Sequence, residues 1–420
     1  MQNKRIVILG NGGTAISAAR AARNAGHCGE IHLFSDKEES AFNPMLSPYY
    51  FKGKVSWEGC FPFEEDFYRN HEITCYFGAP VANLEATRQQ VTLTDGRVFS
   101  YDSCLIATGA SPVLPPVPGL RESSRALPLR SASSARKLEE AMQTARRVLI
   151  LGASLVGIEM AEVLVKRGID VVLLDVVDQI LPRGTHPSVA AILMKYLKSR
   201  GVDVRLGCSM QRMEETKDGV VCHFADDVIE EVNFVVCSTG VRPNLGFVNR
   251  DEVKVDLGVL TDDRMRTNVE NLYAAGDASQ AFNRVTGQHD WMGTWGNACH
   301  QGRTAGLVMT GREAFFPGSL PENISPLFDW TYAQLGDIQP GTGEVRHLAC
   351  GDSERGGYCL LVFSDGFLTG ANLINCTHLA GKIHGAILRK WRCESVLGRA
   401  DGDFTEAAVE EILNECTTSC

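Results

Sequence analysis

A cluster of glycines near the start of the chain constrains its fold more than any other feature. Residues 6–20 read IVILGNGGTAISAAR, in which an apolar run ends at Gly10 and an alanine-rich stretch follows Gly13. This pattern predicts a strand, a glycine turn and a helix that continues to about Ala25. A second strand, EIHLF, is predicted to end just before Asp36. A strand, a glycine turn, a helix and a strand that closes on an acid form the unit that binds dinucleotides.

The glycines of this turn, Gly10-x-Gly12-x-x-Ala15, have a physical purpose in such a unit. Without a Cβ, the backbone can come within van der Waals distance of a pyrophosphate. The helix that follows directs free N–H groups and a partial positive charge at the phosphate oxygens. The carboxylate of Asp36 is then placed to accept hydrogen bonds from a ribose.

The same plan recurs at residues 146–178, which read RRVLILGASLVGIEMAEVLVKRGIDVVLLDVVD. Here Gly152-x-Ser154-x-x-Gly157 forms the turn, and Asp175 ends the second strand. Each copy is followed by another short apolar strand and a Thr-Gly turn, in CLIATGASP and in FVVCSTGVRPN. Either turn alone is compatible with a tight connection that binds nothing, but two copies with both acids in register predict two dinucleotide sites.

The acid of the second copy indicates which nicotinamide coenzyme binds. A carboxylate at Asp175 accepts a hydrogen bond from a free ribose 2′-OH and repels a 2′-phosphate, and the residues after it, VVDQ, include no arginine. This favours NAD(H) over NADP(H). Two dinucleotides in one chain suggest carriers that exchange electrons, and FAD with NAD(H) is a natural converter between two-electron and one-electron transfer.

Further patterns predict the domain organisation. Residues 111–120, SPVLPPVPGL, are a proline-rich crossing typical of a domain boundary. The C-terminal part contains CLLVFSDGFLTGANLIN, which predicts two strands about a Ser-Asp-Gly turn, followed by helical segments. We predict an α/β fold with two Rossmann-like domains and a C-terminal α+β interface domain: residues 1–114 and 246–318 for FAD, 115–245 for NAD, and 319–420 for the interface domain.

The composition excludes several other classes of protein. A net charge of −10 argues against a general nucleic-acid-binding surface. No apolar run approaches the roughly 18 residues of a membrane span, and the N-terminal run is too short for a signal peptide. These features predict a cytoplasmic protein.

The fourteen cysteines are scattered, without a close Cys-x-x-Cys pair. Cys104 and Cys237 lie in apolar runs, which predicts buried thiols that pack as small apolar groups. Near the C-terminus, Cys416 and Cys420 are four positions apart and Cys393 lies upstream. A set of cluster ligands is an open alternative there, but the spacing fits no dense ferredoxin motif. We predict no metal site.

The motifs together resemble the FAD/NAD(P)H oxidoreductases with two dinucleotide folds, the pyridine nucleotide–disulfide oxidoreductase superfamily. The likeness covers nearly the whole chain: both glycine turns, the ATG-type turns at 107–109 and 238–240, and the segment TDDRMRTNVENLYAAGDAS at 261–279. It implies an FAD-dependent NAD(H) oxidoreductase.

The resemblance also implies roles for individual residues. Asp277 would hydrogen-bond the ribityl chain of FAD, Arg130 in LPLRSAS would contact the flavin, and Glu159 would lie near the nicotinamide. For Arg130, a solvated charge at a helix start is the alternative. The predicted FAD-binding residues are Gly10, Gly12, Gly13, Ala15, Asp36, Lys37, Asn43, Pro44, Val81, Ala107, Thr108, Gly109, Arg130, Gly276, Asp277 and Trp295. The predicted NAD-binding residues are Gly152, Ser154, Leu155, Val156, Gly157, Glu159, Asp175 and Gly240.

The segment TWGNACHQGRTAG at 294–306 is similar to the SWxxAxxQGxxAA helix of ferredoxin and rubredoxin reductases. The matching residues are Trp295, Ala298, Gln301 and Gly302, whereas Gly293 stands where that group has a glutamate. The likeness implies a helix N-terminus under the pyrimidine edge of the flavin, where it would stabilise charge on the reduced ring. An ordinary packed helix is the alternative. His289, Trp291 and His300 are expected to line the flavin end without a chemical role.

The segment FNPMLSPYYFKGK at 42–54 departs from the superfamily pattern. Relatives that reduce disulfides or peroxides carry a cysteine at the place of Met45, and a thioether is not a thiolate nucleophile. Ferredoxin reductases favour a lysine at the place of Pro48. The C-terminal domain has no His-Pro unit of the glutathione reductase type. We therefore predict flavin-centred chemistry with no catalytic side-chain nucleophile.

Three functions stay open. The first is a flavin subunit that exchanges electrons with an iron–sulfur protein or complex, as in anaerobic 2-oxoacid oxidoreductases of the CoA-acylating phenylglyoxylate dehydrogenase type, which the 42–54 segment and the C-terminal domain resemble. The second is a free-standing NADH:ferredoxin or rubredoxin reductase. The third is an NADH-sensing flavoprotein that acts by a change of conformation or partner. An oligomer through the C-terminal domain is a further expectation.

Overall fold

A computed structural model describes residues 4–63, 66–341, 343–352, 356–390, 392–393 and 402–418. The chain divides into two compact units, each assembled from separated stretches. The first unit contains Met1–Pro112, Arg130–Ala135 and Val241–Ser319. The second unit contains Val113–Leu129, Arg136–Gly240 and Leu320–Cys420. The finer division into three domains stays a prediction.

The helices and strands follow in chain order. Up to residue 142 they are β1 (Ile6–Leu9), α1 (Gly13–Asn24), β2 (Ile31–Phe34), α2 (Ser47–Phe51), α3 (Phe67–Asn70), β3 (Ile73–Tyr76), β4 (Val81–Glu85), β5 (Gln90–Leu93), β6 (Val98–Ser100), β7 (Ser103–Ile106), β8 (Ala110–Pro112), β9 (Ala126–Pro128) and α4 (Ala132–Met142). Up to residue 243 they are β10 (Arg147–Leu151), α5 (Leu155–Lys166), β11 (Asp170–Leu174), α6 (Pro187–Ser199), β12 (Val202–Arg205), β13 (Met210–Glu215), β14 (Val220–Phe224), β15 (Ile229–Val232), β16 (Phe234–Cys237) and β17 (Val241–Pro243). The remainder are β18 (Val259–Leu260), β19 (Leu272–Ala274), β20 (Ser279–Phe282), β21 (His289–Asp290), α7 (Trp295–Met309), β22 (Glu322–Leu327), β23 (Trp330–Gly336), β24 (Val345–Asp352), β25 (Gly357–Ser364), β26 (Phe367–Ile374), α8 (Ala380–Leu388), β27 (Gly402–Phe404) and α9 (Glu406–Thr418).

The first unit is built on a parallel sheet with the strand order β19-β7-β1-β2-β3. All four residues of β1 are buried, because a central parallel strand is covered on both faces, and this explains the continuous apolar run IVIL. The predicted strand, turn, helix and strand are confirmed. The glycine turn, the segment after β2, the 107–109 turn and the start of the Gly276-Asp277 turn all follow the carboxyl ends of these strands, where α/β sheets bind ligands.

Helices α1 and α7 pack closely against each other through small residues. A Cβ on Gly302 would lie 2.2 Å from the carbonyl oxygen of Thr14, and a Cβ on Gly306 would lie 2.2 Å from that of Ala18. These two glycines, one turn apart on α7, therefore let the helix backbones touch. The contact fixes the N-terminus of α7 beside that of α1.

The second unit contains a parallel sheet in the order β12-β11-β10-β16-β9 and a six-stranded sheet in the order β22-β23-β26-β25-β24-β27. The predicted hairpin is confirmed as β25 and β26, which turn through Asp365 and Gly366, both with positive φ. Helices α8 and α9 follow as expected. None of the helices in the described ranges is long and apolar enough to cross a bilayer.

Candidate cofactor-binding sites

The first glycine turn leaves an open space beside a free helix end. Gly10 has a φ of +120°, and a Cβ there would lie 2.1 Å from the carbonyl oxygen of Ala107, so this glycine lets β1 pack on the 107–109 turn. A Cβ on Gly12 would meet nothing within 4 Å. Gly12 caps α1 without a side-chain hydrogen bond, and the first turn of α1 contains no acid. Open space next to uncapped N–H groups fits a pyrophosphate.

The third glycine of this turn serves helix packing instead. A Cβ on Gly13 would lie 2.9 Å from Sγ of Cys299 and 3.0 Å from the Trp295 ring. Trp295 therefore covers the start of α1 in the structure. Ala15 is fully buried within α1, consistent with the small residue expected there.

The 107–109 turn is held by a residue that sequence reasoning missed. Thr108 Oγ1 donates to the carbonyl oxygen of Asn244 at 2.7 Å, and Asn244 Nδ2 donates to the carbonyl oxygen of Thr108 at 3.0 Å. The Asn244 N–H also donates to the Gly109 carbonyl oxygen at 2.9 Å. Gly109 has a φ of +65°, and a Cβ on it would meet nothing within 4 Å. The asparagine of VRPN thus braces the turn while leaving one face open.

The loop after β2 is joined to the first glycine turn through a buried tyrosine. Tyr68 donates its hydroxyl to Asn11 Oδ1 at 2.8 Å and accepts the Ala41 N–H at 3.0 Å. The Asp36 side chain is 63 % exposed, and its carboxylate lies 2.8 Å from Lys37 Nζ. Asp36 is therefore accessible beside the turn. Val81 begins β4, where it pairs with Leu93, and its role at FAD stays a prediction.

Met45 lies at the position where the resemblance predicts a cysteine in disulfide-reducing members of the superfamily. Asn43 accepts the Met45 N–H at 3.0 Å and caps a short 3₁₀ helix, Pro44–Leu46. One thiol does lie next to this helix: Cys60 Sγ is 4.0 Å from the carbonyl oxygen of Leu46 and 3.7 Å from that of Ser56. Cys60 is fully buried, and its burial raises the pKa of the thiol. A thiol in this state is a poor nucleophile.

The structure brings Arg130 and Asp277 together. Their side chains form an ion pair, and Asp277 is 8 % exposed. Burial raises the pKa of Asp277, and the positive charge of Arg130 opposes that rise. Trp291 Nε1 donates to the carbonyl oxygen of Asp277 at 2.8 Å. Arg130 is therefore half-buried and paired with a buried carboxylate rather than a solvated charge.

Gln301 of α7 holds the Gly276-Asp277 turn. Its Oε1 accepts the Gly276 N–H at 2.7 Å and the Ser279 hydroxyl at 2.8 Å. A Cβ on Gly276 would lie 2.0 Å from Thr14 Oγ1, so the turn also packs on α1. This explains why a glutamine stands at that place in the helix, a purpose that its sequence pattern alone does not reveal.

The two histidines near this region make structural contacts. His289 Nε2 lies 2.9 Å from the carbonyl oxygen of Thr261, and the His300 ring packs edge-on against Phe316 at 5.3 Å. Burial lowers the pKa of His300. These contacts agree with the expectation that neither has a chemical role, which stays a prediction.

The second glycine turn has the same design with one polar substitution. Gly152 has a φ of +103°, and a Cβ there would lie 2.5 Å from the carbonyl oxygen of Ser238. A Cβ on Gly157 would lie 2.2 Å from the Gly152 carbonyl oxygen. Ser154 Oγ accepts the Gly157 N–H at 3.3 Å and caps α5. Gly240 has a φ of +98°, and a Cβ there would meet nothing within 4 Å.

Asp175 is fixed beside this turn. Its Oδ2 accepts the Ala153 N–H at 2.7 Å, and its Oδ1 accepts the Val177 N–H at 3.3 Å. The next side chain, Val176, is 67 % exposed and carries no charge. A half-exposed carboxylate with an apolar neighbour fits a ribose without a 2′-phosphate.

Glu159 lies on the buried face of α5. It is 5 % exposed, and its Oε1 accepts a hydrogen bond from Ser325 of β22, which is 2 % exposed. Leu155 and Val156, in the first turn of α5, are half-buried. Ser325 is a second residue that sequence reasoning missed, since it lies 166 positions from its partner.

The cysteines whose side chains the structure describes form no disulfide. Cys104 and Cys237 are buried as predicted, and burial raises the pKa of Cys237 to about 12. Cys28 is exposed, and Cys75, Cys208 and Cys299 are partly buried. The side chain of Cys416 and all of Cys420 lie outside the described residues. Within the described ranges, no group of three or more His, Cys, Asp or Glu side chains is arranged to hold a metal ion.

Comparisons with known proteins agree with this geometry. The family model described as pyridine nucleotide-disulphide oxidoreductase matches residues 4–302. The NADH-dependent phenylglyoxylate dehydrogenase subunit epsilon of Aromatoleum evansii is 31% identical over 395 residues, 93% of each chain. The NADH oxidase of Methanocaldococcus jannaschii is 27% identical over 346 residues, 80% of this chain and 75% of the relative. The crystal structure of the covalent putidaredoxin reductase–putidaredoxin complex has a TM-score of 0.90 at 23% identity and 100% coverage of both chains, which shows the shared fold.

Proposed function

This chain belongs to the pyridine nucleotide-disulphide oxidoreductase family and is an FAD-dependent NAD(H) oxidoreductase, and we propose that it exchanges electrons with an iron–sulfur protein or complex. The proposal includes no side-chain nucleophile. FAD, when bound, accepts electrons in pairs and releases them singly, which suits an iron–sulfur partner. The side chains would bind and orient the two coenzymes and leave the redox chemistry to them.

The segment around Met45 carries this proposal. Chemistry on a disulfide or a peroxide by way of a cysteine needs a thiolate at the flavin. Met45 cannot supply one, and the neighbouring Cys60 is fully buried with a raised pKa. An electron acceptor that needs no covalent bond to the protein is therefore favoured.

Several features of the first unit support FAD there. The open space at Gly12 and the uncapped start of α1 fit the pyrophosphate. The Arg130–Asp277 pair would meet the ribityl chain and the flavin, and the N-terminus of α7 has neither an acid in its first turn nor a side-chain cap. In the second unit, the turn at Gly152 and the carboxylate of Asp175 would hold NAD(H).

We further propose that the chain is the NAD-linked electron-transfer subunit of an anaerobic CoA-acylating 2-oxoacid dehydrogenase. The support is the likeness to the phenylglyoxylate dehydrogenase subunit along 93% of both chains. Reactions that use thiamine diphosphate would then take place on other chains. A free-standing NADH:ferredoxin or rubredoxin reductase is the second candidate, and it is supported by the fold shared with putidaredoxin reductase.

Affinity purification of the full chain from its native source without oxygen tests both candidates. Copurification of iron–sulfur subunits with 2-oxoacid-dependent NAD⁺ reduction supports the first. A chain that purifies alone and turns over rapidly with NADH and ferredoxin supports the second. Slow reduction by NADH with a change of oligomeric state contradicts both and favours a sensor. A colourless protein that cannot be loaded with FAD contradicts the whole proposal.

A further inference from the structure

The loop of residues 179–186 connects the second glycine turn with the C-terminal sheet. It starts four positions after Asp175, and it ends where α6 begins. Within it, the Leu181 N–H donates to the Ala153 carbonyl oxygen at 2.9 Å. The Ala153 N–H in turn donates to the Asp175 carboxylate at 2.7 Å. The loop is thus hydrogen-bonded to the glycine turn at Ala153, the residue whose N–H also binds the Asp175 carboxylate.

The backbone of this loop is held in an unusual conformation. Leu181 is buried and has a φ of +49°, which a branched side chain adopts only when its surroundings impose it. Gly184 has a φ of +98°, and a Cβ there would lie 2.3 Å from the side-chain amide of Gln334 in β23. Some outside element must therefore fix the loop.

Two fully buried side chains of the C-terminal sheet supply that element. Asn372 of β26 donates from Nδ2 to the Gly184 carbonyl oxygen at 2.8 Å, and its Oδ1 accepts the His186 N–H at 2.8 Å. The hydroxyl of Tyr332 in β23 is hydrogen-bonded to Thr185 Oγ1. Asn372, Tyr332 and Thr185 are 0–2 % exposed.

Because these polar groups are buried, their hydrogen bonds restrict the positions that the loop backbone can take. A buried polar group that loses its partner keeps its desolvation penalty, so a fully satisfied network favours a single arrangement of the backbone. In this arrangement the Leu181 N–H is hydrogen-bonded to the Ala153 carbonyl oxygen. The sheet residues are thereby linked to the glycine turn through the loop.

We propose that Tyr332 and Asn372 are positioning residues of the NAD site, which set its affinity for NAD(H) by holding the 179–186 loop against the glycine turn. This assignment rests on the proposed role of the second glycine turn. It gives the C-terminal sheet a function in coenzyme binding in addition to any role in assembly.

Single-hydroxyl variants of the FAD-loaded full chain test the proposal. Tyr332→Phe and Thr185→Val each remove one hydroxyl and nearly preserve shape. Thr185→Val removes the bond between the two hydroxyls, and Tyr332→Phe also removes the longer hydrogen bonds of its hydroxyl with the Gly184 carbonyl oxygen at 3.4 Å and with Asn372 Nδ2 at 3.3 Å. Each variant should therefore raise the Kd for NADH and for ADP-ribose about three- to tenfold by calorimetry, and Tyr332→Phe should have the larger effect. The double variant should bind NADH no more weakly than Tyr332→Phe, because Tyr332→Phe already removes the bond that Thr185→Val removes. Thr185→Ser, which keeps the hydroxyl, should restore the affinity.

A positioning role also predicts which properties stay unchanged. KM for NADH should rise while kcat and FAD content stay near wild type. The matched control is Tyr101→Phe in the first unit, where the buried hydroxyl has no hydrogen-bond partner among the described residues. That variant should bind NADH like the wild type.

The possible contrary results are distinct. Unchanged Kd values in a folded, FAD-loaded Tyr332→Phe variant overturn the proposal, and so does a loss of FAD or kcat in parallel with NADH affinity. If the wild-type protein binds FAD but neither NADH nor ADP-ribose, the proposed role of the second glycine turn fails instead.

Discussion

The guanidinium of Arg130 pairs with the buried carboxylate of Asp277, 147 positions further along the chain. Arg130 belongs to a stretch of six residues that clusters with the first unit, although the residues on both sides of it belong to the second. Asp277 belongs to the turn that Gln301 and Thr14 hold in place. The pair therefore anchors a short connecting segment at the proposed flavin site.

Replacement of Arg130 by methionine should destabilise the first unit in a pH-dependent way. The partly exposed pair predicts a loss of about 1–2 kcal/mol near neutral pH, below that of a fully buried pair. Burial already raises the pKa of Asp277, and removal of Arg130 raises it further above the unfolded value of about 3.9. Stability is then lost as pH rises through the folded pKa, so the deficit should shrink on acidification towards about pH 4.

Urea unfolding across this pH range at a fixed FAD concentration measures the effect. The control is Arg97→Met. It breaks the ion pair between Arg97 and Asp95, two side chains that are each about half exposed. It should leave the free energy of unfolding close to that of the wild type at every pH. A deficit for Arg130→Met that is the same at all pH values contradicts the argument.

Two glycines of the first turn should respond differently to alanine. Gly12→Ala places a methyl group in the open space proposed for the pyrophosphate, where it meets no protein atom within 4 Å. It should weaken FAD binding by at least about tenfold and leave the FAD-free protein as stable as the wild type. Gly10→Ala, with its Cβ 2.1 Å from the Ala107 carbonyl oxygen, should lower the melting temperature of the FAD-free protein as well. If both variants lowered the melting temperature of the FAD-free protein equally, the space beside Gly12 would not be free for a methyl group.

Asp175→Asn should relax the choice of coenzyme. The amide keeps the shape of the carboxylate and an acceptor oxygen for the Ala153 N–H, gives up the longer bond from the Val177 N–H, and removes the charge that would repel a 2′-phosphate. The ratio of kcat/KM for NADH to that for NADPH should therefore fall about tenfold. Steady-state kinetics with both coenzymes measure the ratio. The matched control is Asp178→Asn, since Asp178 is an exposed acid three positions away. If Asp178→Asn lowers the ratio equally, the effect comes from the net charge rather than from Asp175.

Cys60→Ala should leave NADH-dependent reduction of an artificial one-electron acceptor within about twofold of wild type, because a buried thiol with a raised pKa supplies no thiolate. The wild-type protein should also show no thiol-dependent disulfide reductase activity. Cys299→Ala is a comparison at a thiol that lies next to the glycine turn. A loss of more than about a hundredfold in Cys60→Ala alone would place sulfur chemistry back in the reaction.

Local patterns were sufficient to predict the two strand-turn-helix-strand units and the α/β class of the fold. The glycine spacing and the apolar runs act over a few residues, and a central parallel strand such as Ile6–Leu9 shows itself by being apolar throughout. The ribose-binding role of Asp36 and Asp175 is predicted from their positions at the ends of strands. These features are readable because each depends only on its neighbours in the sequence.

The tertiary structure alone decided which distant side chains support those units. Asn244 on the 107–109 turn, Ser325 on Glu159 and Asn372 on the 179–186 loop each act across more than 130 positions. Their residue types are common, and no spacing rule links them to their partners. Each is specified by the need to satisfy a polar group that folding buries, and that need exists only once the elements have packed.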